Sequence, residues 1–300
     1  MVRREDVLKA LIFGIDGQDG FYLTRILKGL NVQVSGVSNI STEWTRGSVA
    51  DLSFVKETIR SCRPDHIFHF AANSTTAHDA LFENHGAIST GTLNILEGVR
   101  LHCPAAKVFL SGSAMQFKNN NRPINEKTSF DASSPYSVAR IQSVYAGRYF
   151  RQAFGIKAYV GYFFNHDSAL RTEQHVNQKI IAAVKRIEKG SAEKLELGNI
   201  DVKKEFNYAG DVVEAVWRLV NQDRIFEAVI GSGKAYSIKD WVDYCFSRIN
   251  KDWKEYVVIK KGYMPEYKIL VSDPRLIKSL GWRPRVGFHQ LADKMLKGET

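Results

Sequence analysis

The stretch Lys9-Ala10-Leu11-Ile12-Phe13-Gly14-Ile15-Asp16-Gly17-Gln18-Asp19-Gly20 decides the fold. Its apolar part, Lys9–Ile15, has the length and content of a buried strand. From Gln18 to Leu30 the apolar residues Leu23, Ile26, Leu27 and Leu30 return at helical spacing. Gly14, Gly17 and Gly20 therefore occupy a turn between a strand and a helix. Glycine lets such a turn close and leaves the backbone bare enough for an anion to approach, and the first N–H groups of the helix point at that anion. The spacing alone is a weak signal. Between a strand and a helix it reads as a pyrophosphate cradle.

The pattern continues outward from there. Strand-like runs follow at Asn31–Val37, His66–Ala72, Lys107–Ser111 and Ile156–Tyr162, alternating with helical runs at Leu52–Arg60, Ala87–Leu101 and Ser134–Phe154. Repeated strand–helix units imply an α/β fold, a Rossmann-type doubly wound parallel sheet with helices on both faces. Beyond residue 165 the rhythm is less regular, with helices expected at Val176–Lys189 and Asp211–Val220 among short strands. The expected division is a dinucleotide-binding domain over 1–165 and a smaller C-terminal α/β substrate lobe over 166–300, partly interleaved with the first. No Gly/Ser-rich or Pro-rich linker separates them.

The 300 residues are 44% apolar and 25% charged, ordinary for a globular chain. No apolar run approaches the roughly 18–20 residues of a membrane span, so no membrane partner is expected. The first apolar stretch runs into glycines and not into a cleavage site, which makes it a strand and not a signal peptide. Cys62, Cys103 and Cys245 are odd in number and widely spaced, as free thiols in a reducing cytoplasm would be. The formal charge is +10, and residues 251–300 hold eleven Lys/Arg against six Asp/Glu. Such an excess is either a solvated basic face or a field that draws in a diphosphate. No nucleic-acid module accompanies it, so nucleic acid is not an expected partner. No metal is expected either. His66 and His69 would point to opposite faces of a strand, and Cys62, His102 and Cys103 lack zinc-ligand spacing.

The G-x-x-G-x-x-G spacing, Ala71-Ala72-Asn73 after the third strand, Ser111-Gly112-Ser113 after the fourth and Tyr136 before a long helix resemble the extended short-chain dehydrogenase/reductase superfamily, the NAD-dependent epimerases and dehydratases. There a Tyr-x-x-x-Lys pair shares one helix face. The Tyr exchanges a proton with a carbonyl or alcohol, the Lys favours its phenolate, and a Ser or Thr holds the substrate oxygen. This chain has Tyr136-Ser137-Val138-Ala139-Arg140. The implied catalytic residues are Ser113, Tyr136 and Arg140, with Ser111 second to Ser113. Arginine keeps the charge but presents a planar fork where the family has an ammonium. The implied cofactor contacts are Gly14, Gly17, Gln18, Asp19, Gly20, Asn39, Ala71, Ala72, Ser111, Tyr136 and Arg140. The second strand ends Gly36-Val37-Ser38-Asn39 without a carboxylate for the ribose hydroxyls, and Arg46 lies nearby. That favours NADP(H) and leaves NAD(H) open.

Further stretches are similar to the GDP-mannose 4,6-dehydratases: Gly14–Gly20 itself, Ser134-Pro135-Tyr136, Phe164-Asn165-His166-Asp167-Ser168, Lys179-Ile180, Leu197-Gly198-Asn199-Ile200-Asp201, Lys203-Lys204-Glu205-Phe206, Ser272-Asp273-Pro274 and Gly281-Trp282-Arg283-Pro284. The resemblance implies a nucleotide-diphosphate sugar held by Asn165, Arg171, Lys179 and Lys204, and a role in surface-polysaccharide precursor synthesis. It also implies a homodimer through paired helices that include Ala87–Leu101 and Ser134–Phe154. The departures matter as much. Lys-Arg-Asp-Trp of the family is Lys203-Lys204-Glu205-Phe206 here, which removes a bidentate phosphate donor. An arginine near Met264-Pro265-Glu266 is missing, and the connection Ile40–Gly47 is short. Most telling, the glutamate that takes the C5 proton falls on Met115 when Ser113 is aligned with the catalytic threonine. A thioether accepts no proton. The expected chemistry is C4 redox, either keto-reduction or epimerisation, on a GDP-hexose-like substrate. A dehydratase whose base is replaced by Asp131 or Glu126, and a cofactor-binding regulator without turnover, are the alternatives.

Overall fold

The computed structural model describes residues 7–40, 43–262 and 264–300. Met1–Asp6 and the middle of the short connection, Ser41 and Thr42, lie outside the described residues. The chain forms two compact units, one of Met1–Lys118, Glu126–Phe163 and Val213–Ala228, the other of Asn119–Asn125, Phe164–Val212 and Val229–Thr300. Against the linear division at residue 165, Val213–Ala228 joins the first unit and Asn119–Asn125 the second.

In the first unit the elements run β1 (Lys9–Phe13), α1 (Gln18–Gly29), β2 (Gln33–Ser38), β3 (Thr45–Arg46), α2 (Leu52–Cys62), β4 (His66–His69), α3 (Leu81–Asn84), α4 (Gly91–His102), β5 (Lys107–Ser113), α5 (Pro135–Phe154) and β6 (Lys157–Phe163). The sheet order is β3-β2-β1-β4-β5-β6, and the pairs are parallel. The chain builds outward from β1 to β3, crosses back and builds outward again from β4. This reversal leaves a switch point between β1 and β4, where doubly wound sheets bind their ligands. Leu11, Ile12, Phe13, Ile67, Phe68, Val108 and Phe109 are fully buried, as strands covered on both faces require.

Three local details differ from the sequence expectation, and each bears on the site. The strand at His66 stops at His69, because the N–H groups of Phe70 and Ala71 both turn to the Phe13 carbonyl, at 2.9 and 3.1 Å. The strand at Lys107 runs on to Ser113, carried by its pairing with β6 as far as Ser113 opposite Phe163. The helix expected from Ala87 begins instead with α3, passes a π turn at His85–Thr90 and continues as α4.

The second unit contains β7 (His166–Asp167), α6 (Val176–Glu188), β8 (Leu195–Leu197), β9 (Lys203–Glu205), β10 (Asn207–Tyr208) and the start of α7 (Ala209–Val220). After β11 (Glu227–Ile230), whose Glu227 and Ala228 belong to the first unit, it continues with β12 (Ala235–Ser237), α8 (Ile238–Ser247), β13 (Val257–Ile259), β14 (Ile269–Leu270), α9 (Arg275–Ser279) and α10 (Phe288–Lys297). Its core gathers Ile180, Val184, Phe206, Trp241, Phe246 and Leu291. The buried Glu205 carboxylate ties this unit together. It accepts from the Ser272 N–H and hydroxyl, both at 2.6 Å, from the Ser232 N–H at 2.6 Å and from Asn207 Nδ2 at 3.0 Å.

Candidate functional site

The glycine turn lies at the switch point. Gly14 has φ +84°, and a Cβ there would stand 2.6 Å from the Ala71 N, so only glycine allows β1 to approach the turn after β4 so closely. Gly17 caps α1 in an extended conformation with no side chain to occupy its first N–H groups. A cleft of about 530 Å³ opens here, lined by Gly14, Asp16, Gly17, Ser38, Asn39, Ala71 and Ala72 among others. Its size, the exposed Gly17 and the uncapped helix start fit a dinucleotide. Of the expected contacts, Gly14, Gly17, Asn39, Ala71 and Ala72 line the cleft. Gln18, Asp19 and Gly20 form the first turn of α1 behind it. Asp16 and Ser38 line it as well and were not among the expected contacts. Asp16 stood in the glycine motif, and its side-chain oxygen was the available signal.

The residues expected to do chemistry converge within the same unit. Ser134 starts α5 by accepting from the Ser137 N–H at 3.1 Å, with Pro135 in the first turn, and Tyr136 and Arg140 follow four apart on one helix face. The Arg140 guanidinium lies 5.1 Å from the centre of the Tyr136 ring. It is buried, donates to the Ser111 carbonyl, and donates to Ser111 Oγ at 2.7 Å. Ser111 Oγ in turn donates to the His69 carbonyl at 2.9 Å. Ser111 therefore holds Arg140 against β5; Ser111, Tyr136 and Arg140, all expected as cofactor contacts, stand outside the lining of this cleft. Burial, and secondarily the charge of Arg140, push the His69 imidazole down to about 3, so His69 is neutral at neutral pH.

Ser113 ends β5 and caps the single helical turn that follows. Its Oγ accepts from the Met115 N–H at 3.2 Å, while its own N–H donates to Gln116 Oε1 at 2.8 Å. Met115 sits half-buried in that turn. Asp131 donates its N–H to the Gln116 carbonyl at 2.9 Å, beside the turn, with its side chain exposed.

In the second unit, Lys179 and Lys204 line a separate cleft of about 270 Å³, with Leu197–Ile200 on one side and Pro265–Tyr267 on another. Lys204 is buried, with its ammonium 5.4 Å from the Phe206 ring centre. Burial lowers its pKa, opposed by Asp167. A buried ammonium on a cleft wall favours an anionic occupant. Lys179 Nζ donates to the Glu196 carbonyl at 2.8 Å. Asn165 and Arg171 stand outside the lining. The Asn165 carbonyl accepts from Asn207 Nδ2 at 2.8 Å, and Arg171 pairs with Asp167, which also accepts from Asn177 Nδ2 at 2.6 Å. No group of three or more metal-ligating side chains occurs among the described residues, and no helix among them is long and apolar enough to cross a membrane.

A family model described as GDP-mannose 4,6 dehydratase matches residues 11–295. The chain belongs to that family. GDP-mannose 4,6 dehydratase 1 of Arabidopsis thaliana is 32% identical, over 96% of this chain and 88% of the relative. Among solved structures, UDP-glucose 4-epimerase of Thermus thermophilus, in complex with NAD, superposes with a TM-score of 0.84 at 19% identity, covering 97% of this chain and 98% of the other. RMD from Pseudomonas aeruginosa, complexed with NADPH, does so with a TM-score of 0.85 at 18% identity and the same 97% and 98% coverage. These structural likenesses establish the fold.

Proposed function

We propose that this family member is a nucleotide-sugar oxidoreductase acting at C4 of a hexose, as a keto-reductase or epimerase, and that dehydration is not its main reaction. Met115 carries this reading. It falls on the base position of the family when Ser113 is aligned with the catalytic threonine, and it lies in the turn capped by Ser113. Tyr136, with Arg140 against its ring, and Ser113 remain for C4 redox. A nicotinamide dinucleotide held by Gly14, Gly17, Asn39, Ala71 and Ala72 would supply or accept the hydride. Tyr136 passes its phenolic proton to the C4 oxygen as the carbonyl becomes a hydroxyl, and takes it back in the reverse direction. Ser113 donates a hydrogen bond to the same oxygen. Arg140 stabilises the negative charge on the Tyr136 oxygen and, by being bonded to β5, keeps that charge fixed in place.

Lys179 and Lys204 support a nucleotide diphosphate as the anchor of the substrate, with Asn165 and Arg171 in supporting positions. Between NADP(H) and NAD(H), the end of β2 offers opposite charges, Arg46 and Asp16. A homodimer built on α4 and α5, and a site of action in the cytoplasm, complete the proposal. The free Cys62, Cys103 and Cys245 suit a reducing compartment.

Asp131 favours one second reading, a 4,6-dehydratase with a relocated base, because its backbone is bonded beside the Met115 turn. The two readings separate in deuterated water. The protein is incubated with GDP-mannose and an oxidised nicotinamide cofactor, and C5 and C6 of the sugar are followed by NMR. The C4 reading expects neither deuterium at C5 nor a C6 methyl, and expects turnover of a 4-keto sugar nucleotide with the reduced cofactor. Deuterium at C5 together with a C6 methyl overturns it in favour of the relocated base. Binding of both ligands with no turnover of either sugar points to the regulator.

A further inference from the structure

We infer that Asp16, on the glycine turn, performs the task that the end of β2 lacks, and that it selects NAD(H) over NADP(H). The inference rests on reading the β1–β4 cleft as the dinucleotide site. Rossmann-type sites that take NAD place a carboxylate at the end of the second strand, where it accepts hydrogen bonds from the ribose hydroxyls. Sites that take NADP put a cation there for the 2′-phosphate. Here β2 ends in Ser38-Asn39, and neither is acidic.

The carboxylate arrives from another element. Asp16 Oδ2 accepts a hydrogen bond from Ser38 Oγ, and Ser38 Oγ accepts the Ile40 N–H at 3.1 Å. Asp16 and Ser38 line the cleft together, and Asp16 is exposed to it. The Ser38 bond holds the carboxylate at the strand end, on the exposed wall of the cleft. An anion held there accepts from ribose 2′- and 3′-hydroxyls and repels a doubly charged 2′-phosphate.

Arg46 is the competing group. It pairs in register with Ser38 across β2 and β3, so its backbone is adjacent. Its side chain is exposed and absent from the cleft lining, where Gly47 and Ser48 appear instead. A solvated guanidinium outside the cleft is screened, while Asp16 is on its wall. The sequence-based preference for NADP(H) followed from the missing carboxylate on β2, and the fold brings a carboxylate to the same place.

The test is equilibrium binding of NADH and NADPH to the full chain, read by quenching of protein fluorescence, for the unaltered protein, Asp16→Asn and Arg46→Ala. The expected result is at least tenfold tighter binding of NADH to the unaltered protein. In Asp16→Asn, which is nearly isosteric and can still accept from Ser38, NADPH should gain about tenfold or more while NADH weakens a few-fold. Arg46→Ala should leave the ratio within about twofold. NADPH binding as well as or better than NADH to the unaltered protein overturns the inference. So does an unchanged ratio in Asp16→Asn, or a ratio governed by Arg46. Failure of both nucleotides to bind the unaltered, folded protein would instead remove the dinucleotide site itself, and the proposed function with it.

Discussion

At the scale of single residues, the proposed function rests on Tyr136 and Met115. Tyr136 sits in the first turn of α5 with Arg140 against its ring, and Tyr136→Phe removes only the oxygen that moves the proton. Steady-state turnover of a 4-keto sugar nucleotide should fall by about 10²–10⁴-fold, the usual worth of general acid–base catalysis, with cofactor affinity unchanged by titration. Met115→Glu restores a proton acceptor in the Ser113 turn. If Met115 is what blocks dehydration, this variant should exchange deuterium into C5 of GDP-mannose where the parent does not, as seen by NMR. A third prediction concerns His66. Burial pushes its imidazole down to about 4, with the nearby Lys107 acting in the same direction. Its folded pKa lies below the ordinary value near 6.5, so the unfolded chain binds the proton first and stability falls as pH drops from about 6.5 towards 4. Each unit in that window costs about 1.4 kcal/mol at most for one such group. Urea melts at pH 7 and pH 5 should show the loss, and His66→Phe, which keeps an aromatic ring beside Trp217, should reduce it.

At the scale of elements, the first strand, its turn and α1 depend on glycine where a side chain has no room. Gly14→Ala forces a Cβ against the Ala71 N at a positive φ, and a loss of about 2 kcal/mol or more in chemical denaturation is expected, with dinucleotide affinity lost in parallel. Elements with a strong periodic signal were legible in the sequence, and so was the glycine turn, because one local rule governs each. Tyr136 and Arg140 were legible as a pair for the same reason, since helical spacing fixes which residues share a face. The commitment of Ser111 to Arg140, the bond between Ser38 and Asp16 and the hub at Glu205 were not legible. Each joins residues far apart in sequence, and tertiary pairing alone decides such contacts. Short strands such as β9 and β14 were missed for a related reason. They hold only two or three residues, too few for a period to show, and their existence depends on their partners.

At the scale of the whole molecule, the two helices after the cofactor strands bear on assembly. Leu93 and Leu101 on α4 are 49% and 43% exposed, and Tyr145 and Tyr149 on α5 are 57% and 58% exposed. Two helices of one unit that pack on each other and turn large apolar side chains to solvent leave area that a second copy could bury. A C2 arrangement would set the same face of each copy against the other, so every exposed ring or leucine is removed from water twice. Sedimentation equilibrium at micromolar concentration should therefore give about twice the monomer mass. The paired change Leu93→Glu with Tyr149→Glu places charges on both helices of that face and should return the monomer. A monomeric parent would show that this face has another use. Because a dimer stabilises each copy by mass action, the thermal midpoint of the parent should rise with protein concentration, while that of the double variant should not.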